Sequence, residues 1–176
     1  MRRLLVVCII AAFANSGRGQ TASSPGGRQS STAARVEAVD QGVRAFMQTV
    51  AAGVTHDGPS AWRRYFLSSP AFFMAVNGSM VFANPAAAEK GIANAAAEIK
   101  HIDLTWGSAL RVDPLTPTLA VVAAPWHEIR VTTSGRIDAS GFFTALVELR
   151  DGHWLFRDVH WSEPVPPARD AKTHTQ

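Results

Sequence analysis

The sequence predicts an α+β domain: a curved antiparallel sheet forming a cone, packed by three N-terminal helices. Three observations lead there. Helical periodicity is confined to the chain before residue 101, and period-2 alternation dominates after it. Asn77-Gly78 and Asp151-Gly152 each separate alternating apolar runs, and a type I′ hairpin turn needs such pairs because both central residues take positive φ. Pro125 interrupts a long strand pattern, where its missing N–H requires an edge or a bulge, and a bulge bends the sheet. Helices on one face of a bent sheet leave an open mouth, which is a natural pocket.

The chain has 176 residues, 47% hydrophobic and 18% charged, enough for one domain with a sizeable core. Its net charge of +3 does not describe that core, because Arg2, Arg3, Arg18, Arg28 and Arg35 lie in or just after the N-terminal segment. No basic cluster interleaved with aromatics follows, so no nucleic acid partner is expected. Residues 1–14 read as a signal peptide: Arg2-Arg3, an apolar run from Leu4 to Phe13, and Ala12-Phe13-Ala14 as the cleavage motif. The expectation is a secreted or periplasmic protein, without a membrane span in its mature form. Its one cysteine, Cys8, would leave with the leader.

Residues 15–34 are rich in Ser, Gly, Thr, Gln, Ala and Arg and read as a flexible linker. The domain is expected over 35–163. Val36, Val39, Val43, Phe46, Met47, Val50 and Val54 recur at three- and four-residue steps, the apolar stripe of a first helix. Asp57 or Ser60 can cap a short second helix over 60–67, with Pro59 near its start, carrying Trp62, Tyr65 and Phe66. A hairpin over 71–83 turns at Asn77-Gly78, and Asn84-Pro85 then starts an Ala-rich third helix over 86–100. Ile102, Leu104 and Trp106 alternate with polar residues, a long strand runs over 119–132, and the last hairpin occupies 141–162. The Pro-rich segment 164–176 reads as a disordered tail.

Strict alternation along the last strand puts Trp154, Phe156, Asp158 and His160 on one face, from a packed core to the mouth of the cone. Asp158 and His160 are therefore the candidate catalytic pair, a base and its partner able to move a proton next to a carbonyl. His127 and Glu128 follow Pro125, and only one of them can face inward. Tyr65, the sole tyrosine, could donate to an oxyanion; Trp62, Trp106 and Trp126 could line a ligand pocket. His101, His127, His153 and His160 show no metal-ligand spacing, and no Gly-rich phosphate loop is present, so neither a metal nor a cofactor is expected.

The pieces VEAVDQGVRAFMQTV, WRRYF, FFMAVNGSMVF, AAAEKGI and GFFTALVELRDGHWLFRDVHWS occur in an order that resembles the SnoaL-like branch of the nuclear transport factor 2-like superfamily. Gly152-His153-Trp154 and His160-Trp161-Ser162 resemble the closing strand of that group. The resemblance covers about 35–162 and implies a SnoaL-like cone with a pocket for a small apolar or aromatic molecule. It also implies three function classes: ligand binding, a cofactor-free lyase, isomerase or cyclase using Asp158 and His160, and a dimeric interaction module. A homodimer would pair the outer sheet face bearing Phe142 and Leu146. The general base of ketosteroid isomerases would fall near Phe72 to Val76, where this chain has no carboxylate.

Overall fold

A computed structural model describes residues 26–164. The expected leader, the start of the expected linker and the tail from 165 onward lie outside the described residues. Helix α1 spans Gly26–Asp57 and is followed by a 3-10 segment, Gly58–Arg64. Strands β1 (Phe73–Val76) and β2 (Ser79–Phe82) form the first hairpin, and helix α2 covers Pro85–Glu98. Then come β3 (Ile99–Trp106), β4 (Arg111–Thr116), β5 (Leu119–Thr132), β6 (Gly135–Arg150) and β7 (His153–Ser162).

Both hairpin turns form as their dipeptides require. Asn77 and Gly78 take φ of 49° and 81°, and Asp151 and Gly152 take 50° and 80°. Asn84 caps α2, its side-chain oxygen accepting the Ala87 N–H at 2.9 Å. The α1 stripe is buried at Val39, Val43, Met47, Val50 and Val54. These residues meet Phe143, Val147 and Phe156 of the sheet in one core.

Four expectations need correcting. Residues 26–34 were expected as linker, yet they are helical; once the buried part of α1 is formed, each further turn needs only propagation, not a new nucleus. The second helix is a 3-10 segment, after which Phe66 bridges Phe156 in strand fashion. The sheet is mixed: its order is β2-β1-β7-β6-β5-β3, and β1 runs parallel to β7. Pro125 makes no bulge, because β5 and β6 pair without a register shift over their length. Instead Pro125 stands where the other edge of β5 changes partner. β4 pairs with its first half up to Ala123, and β3 pairs with its second half from Trp126. The proline thus falls at the one place on that edge where a missing donor costs no ladder bond.

A bulge in this part of the sheet lies in β7. Leu146 faces Asp158 while Val147 faces Phe156, so Arg157 is an extra residue in a β-bulge. The curved, unclosed sheet wraps α1 on its inner face, and α2 covers the mouth beside the first hairpin.

Candidate functional site

The bulge at Arg157 decides what faces the interior. One extra residue shifts the alternation by one, so Phe156 points inward before it and Val159 and Trp161 point inward after it. Asp158 and His160 are thereby turned to the outer face, which corrects their expected place in the cone. His160 is exposed. Asp158 lies 3.9 Å from Arg157, and burial, with the Glu148 charge adding, holds its carboxyl above the usual range.

On β5 the inward positions are Trp126, Glu128 and Arg130, which pair across to Trp106, Leu104 and Ile102 of β3. Of the two residues after Pro125, Glu128 therefore faces inward. His127 faces outward, exposed, with Nε2 2.8 Å from Asp138 Oδ1.

These strands, the first hairpin, α2 and the 3-10 segment line a half-open cavity of about 240 Å³. Its walls are Pro59, Trp62 and Phe66; Met74, Val76 and Phe82 of the hairpin; Ile92 and Ala95 of α2; Ile99 and Ile102; and Trp126 and Trp161. Glu128, Arg130 and Glu163 supply its charged groups. Trp161 stands edge-on to both other indoles, at 89° and 5.9 Å from Trp62 and at 78° and 5.2 Å from Trp126.

The remaining expected ligand residues lie elsewhere. Tyr65 is buried in the core, where its hydroxyl donates to the Thr49 carbonyl at 3.2 Å. Trp106 lies behind the cavity wall, stacked at 5.8 Å on Trp161, and its indole N–H donates to the Met47 carbonyl at 2.8 Å. In both cases a polar handle on a large ring has found a main-chain partner in α1. So Trp62, Trp126 and Glu128 line the cavity; Tyr65 and Trp106 pack behind it, against Trp62 and Trp126, and Asp158, His160 and His127 lie on the outer face.

Sequence reasoning missed Trp161, Arg130 and Glu163. Arg130 carried a usable signal, since residues two apart on a strand share a face and Glu128 was already a candidate. Trp161 carried none, because its face depends on the bulge.

Glu128 and Arg130 form an ion pair, Oε1 to Nε at 2.6 Å. Burial pushes the Glu128 carboxyl up; the Arg130 charge opposes this, and the charge of Glu163 adds to it. A carboxylate with a raised pKa beside a guanidinium can exchange protons with a bound molecule and offer N–H donors to an oxygen on it. Among the described residues no group of three His, Cys, Asp or Glu side chains could hold a metal ion. No described helix is long and apolar enough to cross a membrane.

No protein-family model and no curated protein sequence matches the chain. Solved structures do resemble it. A scytalone dehydratase candidate from Novosphingobium aromaticivorans superposes with a TM-score of 0.65 at 14% identity, over 76% of this chain and 89% of that one. A nuclear transport factor 2-like superfamily protein from Salmonella enterica gives 0.59 at 14% identity, over 80% and 98%. Hexachlorocyclohexane dehydrochlorinase LinA-type3 from Novosphingobium barchaimii gives 0.56 at 15% identity, over 72% and 86%. At such identities the likeness establishes the fold, the cone of the nuclear transport factor 2-like and SnoaL-like proteins, and not the activity.

Proposed function

We propose that the protein binds a small apolar or aromatic molecule in the cavity between α2, the first hairpin and the inner face of β5. The observation that carries this reading is the wall itself: aliphatic and aromatic side chains, three of them indoles, with charge confined to Glu128, Arg130 and Glu163. A half-open cavity of about 240 Å³ suits a compact molecule. Titration with 2-phenylethanol, followed by tryptophan fluorescence, tests it. Saturable binding is expected, and Ile92→Trp, which fills the cavity, should weaken it at least about tenfold. Absence of saturation, or equal binding by the filled variant, would overturn it.

One observation favours a second reading, a cofactor-free proton transfer: the desolvated Glu128 carboxylate touching Arg130. Here Glu128 takes a proton from the carbon next to a ketone, and Arg130 donates to the oxygen that gains charge. Deuterium uptake by 1-indanone in D2O is the assay, and Glu128→Gln should lower the rate about a hundredfold or more.

Export of a mature chain without the leader is proposed on the Arg2-Arg3 and Ala12-Phe13-Ala14 pattern. The intact mass of the protein recovered from cells checks it, since a mass that includes Met1 rules it out.

A further inference from the structure

We infer that the cavity selects an organic cation, a primary or secondary amine on an apolar or aromatic body, held between the indoles and the carboxylates of Glu128 and Glu163. The inference rests on the cavity being the binding site and adds the chemical class of the occupant.

Charge is the first argument. The lining holds two carboxylates and one guanidinium. The Arg130 charge is already opposed by Glu128 at 2.6 Å, which leaves the site one positive charge short. An anionic ligand would add a third negative charge beside a carboxylate that is only 12% exposed.

Hydrogen-bond inventory is the second. Glu128 Oε1 is engaged by Arg130, and Glu163 Oε2 accepts from Asn77 Nδ2 at 3.4 Å. The other oxygen of each carboxylate has no hydrogen bond among the described residues. Ionised carboxylates only accept and an ammonium only donates, so each free oxygen can take one of its N–H groups, while the buried Nε of Arg130 and Nε1 of Trp126 stay without a hydrogen-bond partner.

The walls are the third. Trp161 stands nearly perpendicular to Trp62 and to Trp126, so the indoles around the cavity meet at corners rather than in one plane. Ring faces attract a cation, and Trp does so most strongly among the aromatic residues.

Calorimetric titration with 2-phenylethylamine, 2-phenylethanol and 3-phenylpropionate at pH 7 compares three charges on nearly one shape. The amine should bind at least about tenfold more tightly than the alcohol, and the carboxylate most weakly. Glu128→Gln should cost the amine about tenfold and the more exposed Glu163→Gln about threefold, while the alcohol changes less than about twofold with either. Glu163→Gln keeps the comparison open if Glu128→Gln fails to fold. If the alcohol or the carboxylate binds as tightly as the amine, the cation class is wrong and the cavity reading stands. If none of the three binds, the cavity reading itself falls.

Discussion

At the scale of single residues, Glu128 carries most of the consequences. Its folded pKa lies above the unfolded value, so between the two the native state holds more protons. Stability then falls as pH rises through that window. Glu128→Gln is therefore expected to raise the melting temperature at pH 7, with the difference from wild type shrinking toward pH 4. Melting curves at the two pH values check this, and an equal difference at both would contradict it. Asp158→Asn and His160→Ala make the contrasting case. Both side chains lie on the outer face, so ligand affinity should stay within about twofold of wild type, and the stability of His160→Ala, an exposed site, within about 0.5 kcal/mol. A loss of binding in either variant would place the site on the wrong side of the sheet.

Among the elements, β6 and β7 show how little room the bend leaves. A methyl group added at Gly141 would sit 1.8 Å from the Ser162 carbonyl oxygen, which is main chain and cannot swing away. Gly141→Ala should force the two strands apart and destabilise the fold by about 2 kcal/mol or more, measurable by urea unfolding. The same pair of strands explains where sequence reading succeeded and where it stopped. The turns at Asn77-Gly78 and Asp151-Gly152 were legible because positive φ leaves a mark in residue type. Helix α2 was legible from its Asn84 cap and its Ala-rich body. The bulge at Arg157 was not: Trp154 to Trp161 reads as unbroken alternation, and an extra arginine, here half-buried beside Glu148 and Asp158, leaves no mark in that pattern. That single unseen residue moved Asp158 and His160 out of the cone and Trp161 into it. Pro125 reads in the sequence as a bulge or an edge position; there is no bulge, and the β5–β6 ladder runs through it. Whether that meant a bulge or a change of partner depended on where β3 and β4 end, which is a tertiary matter.

For the whole molecule, the outer sheet face poses the remaining question. Phe142 is 47% exposed there, and its neighbours on that face include Pro125, Thr144 and Leu146. We propose a homodimer through this face, since exposed apolar strand faces mark association sites. Light scattering on the purified protein should give twice the chain mass at micromolar concentration, and Phe142→Glu should return it to the monomer without loss of ligand binding. A wild-type monomer at that concentration would refute the pairing. The overall cone was legible because it follows from the order of elements, which a sequence displays directly. The charged end of the cavity was legible only in Glu128, because Arg130 and Glu163 join it through the curvature of the sheet.

Helix α1 continues well beyond the core that holds it. From Ser31 to Ala38 each side chain is exposed, and Val39 is the first buried one among the side chains described. With every side chain from Ala33 to Ala38 exposed, this stretch is expected to open locally while the cone stays folded. Trypsin under native conditions should then cut after Arg35 early, and the shortened protein should keep the melting temperature of the uncut one. Amide protons before Val39 should exchange orders of magnitude faster than those of Val43 to Val54. The helix would behave in solution as a rigid root with a fraying tip, a distinction that its single unbroken span conceals.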